Sequence, residues 1–279
     1  SGSLRSAKQR HLRESQQPGW SGQLPTGFSD ALAHADVTSR WAAAFVAALP
    51  ALAACSSGVI DGVAPSPAQP AARGAVSVRS VFAAYDFLRL MMDKHAKGST
   101  RRLVQSFDGG PLEKFTDAVT YDDALFVDAM LISGTPGDVK RAKVVGNAVR
   151  YVQANDPAGD GRLRASYAPK PLRAPRDVLI RDASTDAGNM AWAGQAFLQL
   201  YAATSDRSYL DAATAVAQWL ETNTFDTRGS GGYTGGYTAK GAKIEWKSTE
   251  HNIDLYAFFT MLATESGNGQ WSESAAWAT

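Results

Sequence analysis

The sequence predicts an all-α fold built from helical hairpins. Apolar residues recur with helical spacing over long stretches, strand-like alternation is scarce, and helices with few charges alternate with more charged ones. Hydrophobic residues make up 44% of the 279 residues, which is enough for a substantial core. A chain of this length holds one large domain or two small ones.

Charge and cysteine content limit the possible partners. With 28 basic and 27 acidic residues the formal charge is +1, so nucleic acid, which requires a concentrated basic face, is not a predicted partner. Cys55 is the only cysteine, which excludes an internal disulfide and a cysteine-based metal cluster.

The segment before Cys55 has the parts of a secretory signal. Arg40 precedes the apolar run WAAAFVAALPALAA at 41–54, which is too short to cross a bilayer. The run ends in Leu-Ala-Ala-Cys, which resembles the lipobox of bacterial lipoproteins. The resemblance implies lipidation of Cys55 and a membrane contact through a lipid anchor only, at the cell envelope. The alternative is a buried Ala-rich helix with a structural cysteine.

This interpretation divides the chain into four parts. Because a signal stands at an N-terminus, residues 1–36 are predicted to be a disordered upstream extension, with translation starting near Val37. The signal covers 37–55, and the Ser-, Pro-, Ala- and Gly-rich residues 56–76 form a flexible tether. Residues 77–279 are predicted to form the folded domain.

Helical periodicity begins in the segment that follows the tether. The first helix, over 78–95, places Val81, Leu88 and Met92 on one stripe. Strand signal is weak and is confined to 178–180 and to the Tyr-containing runs within 233–246. Further helices are predicted at 121–133, 138–154, 186–204, 208–222, 250–266 and from 271 to the end.

The predicted helices form a repeat. Thr120, Ser184 and Ser248 stand 64 residues apart, and each opens an apolar helix that a more charged helix follows. The second helices do not keep this spacing, so the fold prediction rests on the alternation of apolar and more charged helices rather than on the spacing. The alternation predicts two concentric layers, with inner helices buried almost all round and outer helices buried on one face.

This alternation, with acidic residues at the starts of the inner helices, resembles the (α/α)-toroid enzymes of the six-hairpin glycosidase-like superfamily. The resemblance covers residues 78–279 and implies an incomplete (α/α)6 barrel of about three hairpins, with small β-hairpin loops at the rim. It also implies that the loops entering the inner helices line one cleft and that the substrate is a carbohydrate.

Acidic residues at that rim are the candidate catalytic groups. Glycoside hydrolysis needs two carboxyl groups, one that protonates the leaving oxygen and one that acts as base or nucleophile. Glu250 is the predicted acid, because Trp246 would supply the apolar wall that raises a carboxyl pKa. Its predicted partner is Asp122 or Asp123, with Asp186 as the alternative.

Helix capping is the competing explanation for these acids. Ser or Thr followed by an acid is what a helix start prefers, and Thr120-x-x-Asp123 resembles a capping box. Helix capping explains the presence of acids at the starts of three helices as well as a catalytic role does. It does not explain the concentration of aromatic, acidic, His and Asn residues at 246–254.

Aromatic and polar residues of the same rim are the candidate binding groups. The glycine-rich run 229–238 is predicted to present Tyr233 and Tyr237 to solvent, where aromatic rings stack on sugars. Metal and cofactor motifs, such as HExxH and the phosphate-binding loop, are absent from the sequence, so neither group is predicted. The predicted substrate-binding residues are Tyr121, Asn189, Trp192, Tyr233, Tyr237, Trp246, His251, Asn252 and Asp254.

These features favour a glycoside hydrolase that acts on a polysaccharide or oligosaccharide at the cell envelope. Two alternatives stay open. The same fold serves polysaccharide lyases and sugar epimerases, and helical repeats also form non-catalytic glycan-binding lipoproteins.

Overall fold

The computed structural model describes residues 78–95 and 97–279, and these residues contain seven α-helices. Each predicted helix corresponds to one of them within a few residues. Three of the seven end at a residue in the left-handed conformation, namely Gly134, Ser205 and Gly267, which allows the tight turn into the next helix. The helices are α1 Val78–Asp93, α2 Thr120–Ser133, α3 Pro136–Ala154, α4 Ala187–Thr204, α5 Arg207–Thr224, α6 Thr249–Ser266 and α7 Gln270–Trp277.

Six short strands form two antiparallel sheets in the loops. The first sheet has the order β1–β2–β3 and the second the order β4–β5–β6. Strand β1 leads directly into α2, and β4 leads directly into α4, so the sheets lie at the starts of the helices. The strands are β1 Ala118–Val119, β2 Ser166–Tyr167, β3 Ile180–Asp182, β4 Thr185–Asp186, β5 Gly236–Tyr237 and β6 Lys243–Ile244.

The helices pack in two layers. In the inner layer, α4 lies between α2 and α6 and contacts both along its length. In the outer layer, α3, α5 and α7 each pack against the inner helix that precedes them. Helix α4 contains no charged residue, as expected for a helix surrounded by others, whereas α3 and α5 are charged on their outer sides. The predicted all-α hairpin architecture is confirmed.

Two inner helices approach each other closely at a glycine. A Cβ atom placed on Gly194 of α4 would lie 2.3 Å from the Phe258 ring of α6. This is well inside van der Waals contact, so the ring occupies the space that a larger residue would need.

Helix α1 packs through its C-terminal end. Met91 and Met92 are buried, and Arg89 donates two hydrogen bonds to the buried carboxylate of Asp138 at the start of α3. Phe82 and Leu90, in contrast, are each 62% exposed.

The predictions for residues 1–76 lie outside the described residues. These are the upstream extension, the signal with the lipidated Cys55, and the flexible tether. Within the described ranges, none of the helices is long and apolar enough to cross a membrane.

Candidate active site

The starts of the three inner helices lie together at one rim. The ring of Tyr121, in the first turn of α2, meets Trp192 of α4 edge-on at a centroid distance of 5.6 Å. The ring of His251, in the first turn of α6, fills the space above Gly188 of α4, where a Cβ atom would lie 2.6 Å from Cδ2 of the imidazole. Each pair joins neighbouring helices, so the three starts lie side by side at this rim.

Capping does not account for the acids at α2 and α4. The N-cap residue of α2 is Val119, and neither Val119 nor Asp186, the N-cap residue of α4, makes a side-chain capping bond. The predicted capping box at Thr120 is wrong, because the Thr120 hydroxyl donates to the carbonyl of Arg164 instead. Among these three helices only α6 has a side-chain cap, where Ser248 accepts the N–H of His251.

Residues 104–106, which are not part of the predicted site, donate hydrogen bonds to both acids of α2. The N–H of Val104 donates to Oδ1 of Asp123 at 2.8 Å, and the hydroxyl of Ser106 donates to Asp122. Asp123 is fully buried and its Oδ2 has no partner; burial raises its pKa well above the ordinary value, and the charge of Asp122 adds to this. Asp123 therefore cannot touch a substrate, and Asp122 is the accessible acid of the two.

Asp122 is half-buried beside an apolar cavity. The cavity has a volume of about 300 Å³, and its lining includes Met91 of α1 and Leu125 of α2. Burial raises the pKa of Asp122, and the hydrogen bond from Ser106 partly opposes this rise.

Asp254, in the second turn of α6, contacts two residues of α4. The indole N–H of Trp192 donates to its carboxyl group, and Gln195 of α4 donates to its backbone carbonyl at 3.3 Å. Burial, with a smaller contribution from the charge of Glu250 one helical turn away, raises the pKa of Asp254 to about 7, and the hydrogen bond from Trp192 partly opposes this rise. A carboxyl group with this pKa holds a proton at neutral pH in a large fraction of molecules.

The charges of the rim converge on Tyr121. Burial is the largest cause of the raised pKa of its phenol, and the charges of Asp254, Glu250 and Asp122 contribute in that order. Carboxyl groups of α2 and α6 therefore lie close enough to act on one side chain between them.

The predicted environment of Glu250 is wrong. The Glu250 side chain is exposed, and Trp246, its predicted apolar wall, is itself 56% exposed and contacts the ring of His251 at 5.7 Å. The apolar surroundings that raise a carboxyl pKa belong to Asp254.

Asp186 lies at the start of α4. Asn189 donates to its Oδ2 at 3.3 Å, and the Ser184 hydroxyl also donates to it. Burial raises the pKa of Asp186 to about 6, and the nearby charge of Asp182 adds to the rise.

His251 is half-buried and its Nδ1 has no hydrogen-bond partner. Burial lowers its pKa, against the effect of the neighbouring Glu250 charge, so the imidazole is neutral at pH 7.

Two predicted binding residues are structural. Tyr233 is fully buried against Phe259, with its hydroxyl donating to Glu221, so the prediction that it faces solvent is wrong. Asn252 accepts the N–H of Tyr233 and donates to the carbonyls of Tyr233 and Ser248, so both of its N–H groups are used within the fold. The glycine-rich run is folded onto α6 through these bonds, which periodicity alone does not reveal.

Tyr237 lies in the sheet beside Asp186. Tyr237 pairs with Thr185 between strands β4 and β5, and its half-buried ring packs against Trp219 at a centroid distance of 6.0 Å. Within the described ranges, no group of three or more His, Cys, Asp and Glu residues could hold a metal ion.

Comparison with known proteins identifies the fold. No family model and no curated protein matches the chain. Among solved structures, a D-mannose isomerase is 12% identical with a TM-score of 0.55, over 71% of this chain and 50% of that one. A family 76 glycoside hydrolase from a bovine Bacteroides thetaiotaomicron strain is 16% identical with a TM-score of 0.52, over 72% of this chain and 41% of that one. The chain thus spans half or less of the length of these two structures, and its described hairpins have an (α/α)-toroid fold.

Proposed function

We propose that the chain is a glycoside hydrolase in which Asp254 is the general acid and Asp122 is its partner carboxylate. The observation that carries this proposal is the environment of Asp254. A general acid must hold its proton at the working pH, and burial raises the pKa of Asp254 to about 7 even though the hydrogen bond from Trp192 acts in the opposite direction. Glu250, the acid expected from the sequence, is exposed and lies one turn away.

The partner carboxylate lies on another helix, which lets the two groups flank a glycosidic bond. Asp254 gives its proton to the glycosidic oxygen as the bond between that oxygen and the anomeric carbon breaks. Asp122 either removes a proton from the attacking water or bonds to the anomeric carbon, and these two routes give inversion and retention respectively. The Ser106 hydroxyl stabilises the ionised form of Asp122 that both routes need.

The aromatic rings between the two acids suit a sugar. Tyr121 and Trp192 meet edge-on and are both half-buried, and the apolar faces of sugar rings pack on partly exposed aromatic surfaces of this kind. Carbohydrate as the substrate class also agrees with the two solved structures, whose names describe a glycoside hydrolase and a sugar isomerase.

Removal of either carboxyl group tests the proposal. The variants Asp254→Asn and Asp122→Asn are each expected to lower kcat by about 10²–10⁴-fold on an oligosaccharide that the native protein cleaves. Asp211→Asn is the matched control, because Asp211 is an exposed carboxylate on outer helix α5. Reducing ends released from a panel of oligosaccharides are measured, with circular dichroism to confirm folding. Full activity of Asp254→Asn would refute its role.

His251 favours a second candidate function, sugar epimerisation or isomerisation. A neutral imidazole can accept a proton from carbon, which these reactions need and hydrolysis does not. The same panel discriminates the two when it is run in D₂O. A hydrolase releases new reducing ends, whereas an epimerase or isomerase converts a sugar without chain cleavage and exchanges a carbon-bound hydrogen for solvent deuterium.

A further inference from the structure

Trp246 is an exposed aromatic residue that the surrounding backbone holds in place. A single exposed aromatic side chain is common on protein surfaces and shows little by itself. The way in which the indole ring of Trp246 is held is more informative.

The indole ring of Trp246 packs against Gly235. A Cβ atom on Gly235 would lie 2.7 Å from two atoms of the Trp246 ring and 2.6 Å from Ile244 of β6, so the ring lies directly on the glycine backbone. The N–H of Gly235 donates to the carbonyl of Trp246 at 2.9 Å, and the carbonyl of Gly235 accepts the N–H of Ala187, the first residue of α4, at 3.1 Å. Trp246 is therefore tied to the rim that carries the acids.

The ring lies next to the acidic cleft. Trp246 contacts the imidazole of His251 at 5.7 Å, and that imidazole in turn covers Gly188 at the start of α4. Trp192, which binds Asp254, follows Gly188 by one helical turn on α4. His251 thus separates two indole rings, a half-buried one at the acids and an exposed one outside them.

We infer that Trp246 forms a second sugar subsite beside the cleft, so that the substrate is a chain of at least two sugars. The inference rests on the proposed carbohydrate function. The sugar at the cleavage point lies against Tyr121 and Trp192, and the neighbouring sugar of the chain stacks on Trp246. A fixed, flat, apolar ring suits a sugar face because little side-chain freedom is lost when the sugar binds.

Binding of sugars of increasing length tests the subsite separately from cleavage. The probes are mannose, mannobiose, mannotriose and mannotetraose, together with the matching glucose series. They are titrated by calorimetry into the Asp254→Asn protein so that turnover does not interfere. One series is expected to bind more tightly when a second sugar is added, and Trp246→Ala is expected to weaken that longer ligand about tenfold. Binding of the single sugar should change less than twofold.

Two further variants separate stacking from folding. Gly235→Ala keeps Trp246 but pushes its ring from the backbone, so it should reproduce the loss, while Trp246→Phe should restore part of the affinity. Phe82→Ala removes an equally exposed aromatic residue from α1 and should have no effect. Equal affinity for all lengths, or binding of neither series, would overturn the inference. Length-dependent binding without any cleavage by the native protein would refute the proposed hydrolysis but would still support a sugar subsite at Trp246.

Discussion

At the scale of single residues, the rim carries carboxyl groups of unlike character. Asp254 is half-buried beside an indole ring, and Glu250, one turn earlier on the same helix, is exposed. Since burial disfavours the charged form and a nearby negative charge does the same, Asp254 keeps its proton to a higher pH than an ordinary Asp.

Replacement of Glu250 tests whether this residue only raises the pKa of Asp254 or is itself a catalytic group. The Glu250 charge raises the pKa of Asp254, so Glu250→Gln should lower that pKa. Because the acid works only while protonated, activity falls as pH rises through about 7 in the native protein, and this limb should move to lower pH in the variant. The expected shift is about 0.5 pH units, with kcat below pH 5.5 within about threefold of native.

The pH–rate profile of Glu250→Gln is compared with that of Glu273→Gln, which removes an exposed carboxylate from α7. A loss of more than about 10²-fold at every pH would show that Glu250 is itself the acid, as the sequence predicts. If the fall in activity at high pH occurred at the same pH in the variant, the charge of Glu250 would not be raising the pKa of Asp254.

At the scale of elements, the site depends on how closely the inner helices approach. The Phe258 ring of α6 occupies the position of a side chain at Gly194, and the His251 ring does the same at Gly188. Glycine at these two points lets α6 lie against α4 with its first turn at the cleft.

Gly194→Ala tests this packing. Overfilling a well-packed contact costs about 1–3 kcal/mol of unfolding free energy, which exceeds the gain of about 1 kcal/mol in helix propensity. The control is Gly137→Ala in the first turn of α3, where the nearest atom is the end of the Arg141 side chain at 3.6 Å. Urea denaturation should show a loss for Gly194→Ala and no loss for Gly137→Ala. Equal stabilities of the two variants would mean that α6 adjusts freely against α4.

Most elements of this fold are predictable from sequence because they are long and periodic. Helices α2 to α7 match the predicted segments, since burial in two layers imposes a helical spacing of apolar residues. The two-residue strands β1, β2 and β4 are not predictable, because alternation needs about four residues to be recognised. The predicted 178–180 and 233–246 strand regions contain part of β3 and all of β5 and β6.

The site is less predictable than the fold because contacts distant in sequence decide it. Local sequence marks Thr120 and Asp123 as a cap, yet the segment at 104–106 takes over the hydrogen bonding of Asp122 and Asp123. Tyr233 looks exposed within its glycines, but Asn252 binds its backbone and draws it into the core. The contrast between Glu250 and Asp254 depends on the packing of α6 against α4, which half-buries Asp254 and leaves Glu250 exposed.

At the scale of the whole molecule, buried carboxyl groups make opposite contributions to stability. The Arg89 guanidinium holds the pKa of Asp138 well below its usual range, so this group stabilises the fold above about pH 4 and ceases to do so as the pH falls further. Asp128, on inner helix α2, behaves in the opposite way. Burial raises its pKa to about 8, against the effect of a hydrogen bond from Gln199, and its Oδ1 has no partner.

The sign for Asp128 follows from proton binding. Between about pH 4 and 8 the folded state keeps a proton that the unfolded state releases, so the contribution of Asp128 becomes steadily less favourable as the pH rises. Asp128→Asn removes this term while keeping the shape of the side chain. Urea denaturation at pH 5 and pH 8 should therefore show that the variant loses less stability between the two values than the native protein, by on the order of a few kcal/mol. Asp211→Asn, at an exposed position, should behave as the native protein does. If Asp128→Asn instead destabilised the fold equally at both values, the carboxyl group would be ionised and paired, and the acid–base character assigned to the interior of the inner layer would be wrong.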